Sequence, residues 1–153
     1  MIVFDIRKYN ELKNPNPGQL YRTDLLTEEQ DAKELGGWFG LLEPGNEVPL
    51  HYHERRESIF IPIYGEVMMV LEGEERLIKT GEVVFMPPMV KHGLVNRSDK
   101  DCRYFEFVTH PPLEADFVRI PCNFKWVHAT DVRRVNWPVP FIIGGSSSHL
   151  FRV

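Results

Sequence analysis

Between residues 38 and 112, short apolar or alternating runs recur at close spacing, each closed by a turn signal. They read WFGLLEPG, EVPLHYH, SIFIPIYG, EVMMVLEGEE, RLIKTG, EVVFMPP, HGLVNRSDKD and CRYFEFVTHPP. Runs of this kind predict β-strands joined by tight turns, and an all-β sandwich or barrel rather than βαβ units. Pro62 cannot donate to a ladder, so its strand belongs at an edge or carries a bulge. The stretch LEGEERL predicts a hairpin turn around Gly73. Upstream, NPNPGQ is rich in turn formers. Thr27 and Gln30 match a capping box and Gly36-Gly37 supplies a stop, which together predict one short helix over 28–35. Beyond residue 112 the pattern loosens into a segment rich in tryptophan and proline, expected to pack on the β core or on a second subunit. GGSSS at 144–148 reads as a linker-like stretch. The expected division is an N-terminal arm with its short helix (1–37), a β core (38–110) and a C-terminal segment (111–153), one domain overall.

Composition narrows the class. A chain of 153 residues suits one core rather than two. The formal charge of -4 gives no electrostatic reason to expect nucleic acid or an anionic membrane as a partner. No apolar run approaches a membrane span. The N-terminus MIVFDIRKYNELK lacks the apolar core of a signal peptide. Cys102 and Cys122 form neither a CxxC pair nor a disulfide framework, which fits a cytoplasmic location.

Chemistry concentrates in HYHERRE, residues 51–57. Side chains alternate faces along a strand, so His51 and His53 project together. Glu57 follows after ERR. If it faces inward, so do Ile59, Ile61 and Ile63 by parity, and an unpaired carboxylate above them would be costly. A metal ion bound by both imidazoles and the carboxylate removes that cost. In GEVVFMPPMVKHGLVN, residues 81–96, His92 opens another strand with Asn96 on its face.

These two stretches resemble the motifs of the cupins, G-x5-H-x-H-x3,4-E-x6-G and G-x5-P-x-G-x2-H-x3-N. Gly45, His51, His53 and Glu57 match the first, and Gly81, Pro87, His92 and Asn96 match the second. Two departures stand out. Gly65 lies seven residues past Glu57, in register with the longer spacing whose acid position holds Ser58. Met89 replaces the glycine of the second motif. The resemblance spans roughly residues 38–108 and implies a double-stranded β-helix, or jelly-roll barrel. It also implies one divalent metal held by His51, His53, Glu57 and His92. Three imidazoles and a carboxylate suit Fe, Mn or Ni in an open six-coordinate site, while Zn would suit a closed tetrahedral one.

Other polar residues carry weaker signals. His110, His128 and His149 lack ligand spacing. Glu54, Arg55 and Arg56 read as a solvated loop, with Arg56 able to reach a substrate anion. Arg22, Tyr21 and Arg103 are candidates for the barrel mouth. Phe60, Phe85, Phe105 and Phe107 read as core or dimer-interface residues. The resemblance implies a metal-dependent enzyme acting on a small oxygen-rich molecule. Dioxygenase-type chemistry leads because the interior is expected to be apolar apart from the ligands. Isomerase, decarboxylase or lyase chemistry is also open, and a non-catalytic metal- or small-ligand-binding protein is the alternative. No catalytic acid or base can be named from the sequence. A homodimer is expected from apolar strand faces and from Trp38, Trp126 and Trp137.

Overall fold

The computed structural model describes residues 1–109 and 116–120. Its strands are β1 Tyr21–Leu26, β2 Leu35–Leu42, β3 Glu47–His53, β4 Ser58–Tyr64 and β5 Glu66–Leu71, then β6 Glu74–Lys79, β7 Val84–Met86, β8 His92–Val95, β9 Cys102–Thr109 and β10 Phe117–Arg119. Two five-stranded sheets result, ordered β1-β2-β9-β4-β7 and β10-β3-β8-β5-β6. Distant strands pair antiparallel, β2 with β9 and β3 with β8, which nests the hairpins into a jelly-roll barrel. No helix among the described residues is long and apolar enough to cross a membrane.

Local chemistry explains several features. Leu71 pairs with Glu74, leaving a two-residue loop in which Glu72 and Gly73 both have positive φ, 49° and 90°. That is the loop geometry that matches strand twist. At Pro62 the register with β9 shifts before Tyr64, and β7 pairs only with Ser58–Phe60, so no neighbour on that side needs the missing N–H. The helix predicted over 28–35 is only a 3-10 turn, Glu28–Gln30. Its capping box forms, with the Thr27 N–H donating to Gln30 Oε1 at 2.9 Å. The turn stops at left-handed Asp31, and Leu35–Leu42 pairs with β9 along its whole length. An eight-residue ladder outweighs the weak stability of so short a helix.

The core lies between the sheets and includes Leu42, Phe60, Met69, Ile78, Met86 and Tyr104. Cys102 packs there as a free thiol, its pKa pushed up to about 12 by burial. A second cluster covers the outer face of the β1-containing sheet, where Phe39, Leu41 and Phe105 meet Phe4, Tyr9 and Leu12 of the N-terminal arm. Tyr9 sits 5.2 Å from both Phe39 and Phe105, ring centre to ring centre. Arg103 fastens the arm by donating to the carbonyls of Tyr9 and Leu12. Strand β2 is therefore covered on both faces, which accounts for the unbroken apolar run WFGLL. Of the C-terminal segment 111–153, only 116–120 falls within the described residues. Cys122, His110, His128 and His149 lie outside them, as do Trp126, Trp137 and GGSSS.

Candidate metal centre

Three histidines converge at one end of the barrel. His51 and His53 share the inward face of β3, and His92 opens β8 directly opposite His51 in the ladder. Strand β3 shifts register between Val48 and His51, at Pro49, which has no N–H to give the ladder. His92 follows the turn at Met89, which adopts φ 69° where the family motif has glycine and donates its N–H to the His53 carbonyl at 2.7 Å. The three rings are buried, and one nitrogen from each lies within 4.8 Å of the others.

Each ring is held by its Nδ1. His51 bonds the Pro49 carbonyl at 2.7 Å, His53 the Asp116 carbonyl at 2.9 Å and His92 the Val90 carbonyl at 2.9 Å. A carbonyl only accepts, so every Nδ1 carries the proton and every Nε2 presents a lone pair. Burial, reinforced by the neighbouring His92, brings the pKa of His51 down to about 3. Burial and then Arg56 bring His53 down to about 4, and burial also lowers His92. All three are neutral imidazoles at pH 7. Neutral rings with fixed tautomers and clustered nitrogens are donors that suit a transition metal, so the group is able to hold one.

The structure does not bring Glu57 to the three histidines. Its residue is exposed, and its backbone N–H bonds Thr109 Oγ1 at 3.0 Å. The parity that ties Glu57 to Ile59, Ile61 and Ile63 holds, but on the outer face; Ser58, Phe60 and Pro62 point inward. The charged group that turns in beside the histidines is Arg56, 4% exposed, whose Nη2 donates to His53 Nε2. Asp116 sets this turn. Its carboxylate accepts from the backbone N–H groups of Glu54, Arg55 and Arg56. Burial opposes charge there, yet these donors hold the carboxyl below the usual carboxylate range.

A pocket of about 180 Å³ opens beside the histidines, lined by His51, His92, Arg22, Arg56, Trp38 and Glu106 above an apolar floor that includes Phe60 and Met69. Arg22 takes the expected place at the mouth. Tyr21 instead packs against the outer cluster, and Arg103 against the arm. Glu106 is buried on β9 opposite Trp38 and Phe60. Burial pushes the pKa of its carboxyl up to about 7, against the pull of Arg56 and Arg22. Ser58 approaches and favours the charged form, but no hydrogen bond of regular geometry joins them, and Ser58 Oγ is left without a partner.

Glu106 therefore binds its proton more tightly in the fold than in the unfolded chain, where the ordinary value is 4.5. Its contribution to stability is complete below that value and is lost as pH rises through 7. Glu106→Gln is expected to remove this loss, giving the variant an advantage at pH 8 over pH 5 of about 2–3 kcal/mol, at about 1.4 kcal/mol per pH unit. Thermal melts at the two pH values check it. An equal shift at both would place an ordinary carboxyl at position 106.

The fold and site define a small barrel with a buried histidine group. The family model described as "Cupin domain" matches residues 38–108, and that stretch is a cupin domain. Similar solved structures include TT1209, a Thermus thermophilus protein, at 21% identity and TM-score 0.63, covering 73% of this chain and 100% of that one. KdgF from Halomonas sp. matches at 21% identity and TM-score 0.60, covering 75% and 99%. Both show the fold alone. A predicted oxalate decarboxylase from Thermotoga maritima matches at 26% identity and TM-score 0.56, covering 60% and 81%.

Proposed function

We propose that this protein is a metal-dependent enzyme acting on a small, oxygen-rich molecule, with His51, His53 and His92 as the ligands. The observation that carries the reading is the pinning of three neutral imidazoles by their Nδ1 atoms, with one nitrogen of each ring within 4.8 Å of the others. Fe, Mn or Ni is the metal expected of an open six-coordinate site, and without Glu57 the three histidines also suit Zn with one open position. A divalent ion there supplies Lewis-acid polarisation or redox chemistry. An apolar interior is the ground for expecting a dioxygenase, and the pocket instead carries Arg56 and Glu106. Decarboxylase, lyase or isomerase chemistry therefore leads, because a carboxyl near 7 can both give and take a proton at neutral pH. The 26% identical match to a predicted oxalate decarboxylase supports that order.

The contact of Arg56 with His53 Nε2 favours a second reading, a non-catalytic cupin that binds its small ligand through the guanidinium. Metal content decides between them. Protein purified without added metal or a polyhistidine tag is expected to carry about one equivalent by elemental analysis, in line with one ion per histidine group. The His51→Ala/His92→Ala double variant is expected to carry almost none. A wild type that stays empty after reconstitution would overturn the metal-dependent reading and leave the binding protein.

The homodimer belongs to the same proposal. Ile59 and Phe85, partners across β4 and β7 on the outer face, are 41% and 57% exposed. A gel-filtration mass near the 17.9 kDa of one chain would sink it.

A further inference from the structure

Arg56 is a buried cation with spare donor capacity. It is 4% exposed and lines the pocket, and its Nε has no hydrogen-bond partner. A guanidinium stripped of water and left with a free N–H is an expensive group, and its planar fork matches a planar anion with two oxygens. A second guanidinium stands nearby. Arg22 lies 4.8 Å from the Trp38 ring centre and Arg56 lies 5.6 Å from it, so one indole orients both cations. Against these two charges, the one acid among the described lining residues is Glu106. The three imidazoles are neutral, and no carboxylate from Glu57 joins them. Among the lining residues the balance is positive without a metal and more so with one, although the Asp116 carboxylate behind the 54–56 turn also acts on Arg56.

We propose that Arg56, supported by Arg22 at the mouth, forms a carboxylate subsite, so that the ligand of this pocket is a short organic acid held beside His51 and His92. The proposal deepens the reading of the pocket as a small-molecule site and rests on it. Size supports a short acid, since about 180 Å³ lies below the roughly 300–1,000 Å³ of pockets that hold drug-sized ligands. Trp38 and Phe117, the latter stacked on His51 at 4.3 Å, border the space and keep it apolar on those sides. Glu106 also sets a limit, since any dianion, whether a phosphoryl group or a dicarboxylate, would press a second negative charge towards a buried carboxyl, and a monoanionic acid such as pyruvate or lactate would not. Arg56 here is a specificity-determining residue; no step of bond making is assigned to it.

The test is calorimetric titration of the full chain with oxalate, malonate, succinate, pyruvate and lactate. Malonamide serves as the uncharged counterpart and inorganic phosphate as the rival anion. Metal content is measured on every sample. At least one carboxylate is expected to bind, malonamide and phosphate at least about tenfold more weakly. Arg56→Met is expected to weaken the carboxylate about 10- to 100-fold, the span of a lost charge-assisted bond, without lowering metal content. Arg22→Met keeps the test sound if the first variant fails to fold, because Arg22 is exposed at the mouth; a loss of about threefold is expected, smaller because water screens it. Failure of every carboxylate to bind overturns the subsite. So does equal binding by malonamide or phosphate, or full affinity in a folded Arg56→Met. A protein that binds carboxylate but never holds metal keeps the subsite and sinks the metal-dependent reading, so the two fail separately.

Discussion

Asn96→Ala is expected to lower the free energy of unfolding by about 3–5 kcal/mol. Asn96 is fully buried at the end of β8. Its amide donates to the carbonyls of Leu42 and Lys100, both at 2.7 Å, and its Oδ1 accepts from the Ser98 N–H and hydroxyl. Its main chain closes the β2–β3 turn, accepting from the Gly45 N–H at 2.8 Å and donating to the Asn46 carbonyl at 3.0 Å. One side chain thus ties the end of β2, in one sheet, to the end of β8, in the other. Alanine strands the Leu42 carbonyl and the Ser98 N–H, while the Lys100 carbonyl and the Ser98 hydroxyl still bond each other at 2.9 Å. Asn96→Asp should cost a similar amount, since a carboxylate cannot donate to either carbonyl and would face both. Urea unfolding at pH 7 measures it. A loss below about 1 kcal/mol in Asn96→Ala would mean that water replaces the amide at no cost.

The second large effect is at Gly65, between β4 and β5. Its φ is 73°, and a Cβ placed there would run into the Asp101 carbonyl oxygen. The left-handed conformation alone costs an L-residue about 1–2 kcal/mol. The obstacle is backbone rather than a side chain that could rotate away, so the strands must separate. Gly65→Ala is expected to lose about 3 kcal/mol or more in the same urea assay. The turn also anchors Thr80, whose N–H and hydroxyl both donate to the Gly65 carbonyl. A near-neutral Gly65→Ala would show that the β4–β5 turn can shift without disturbing the sheets.

How much of this was legible in the sequence depended on whether a residue's surroundings are local. The strand runs from Trp38 onward, the hairpin at Gly73, the irregularity at Pro62 and the shared face of His51 and His53 follow from alternation and turn chemistry, which operate over a few residues. The capping box at Thr27 was legible too, but its helix was not, because the ladder with β9 is a long-range competitor. The inward turn of Arg56 was out of reach, since the carboxylate that sets it belongs to Asp116, 60 residues away. Two signals were there to use. The spacing back from Gly65 points to Ser58 rather than Glu57 as the inward position, and the structure has Ser58 buried and Glu57 exposed. In CRYFEFVT, Glu106 shares parity with Cys102, Tyr104 and Val108, a charge set in an otherwise buried row. The phenylalanines on the other parity hid this, because they suggest a core on their own side. That side is covered by the arm.

Asp116 draws a boundary that differs from the one motifs draw. The matched cupin region stops at residue 108, and a chain trimmed to it would keep most of both sheets and all three histidines. It would nonetheless lose the carbonyl that fixes the His53 ring and the carboxylate that gathers the 54–56 turn. His53 would then be free to exchange tautomers, and Arg56 would be released to solvent. The matched region and the residues that shape the histidine group do not end at the same place. For this barrel the shortest piece that keeps these contacts is longer than the stretch that matches a cupin.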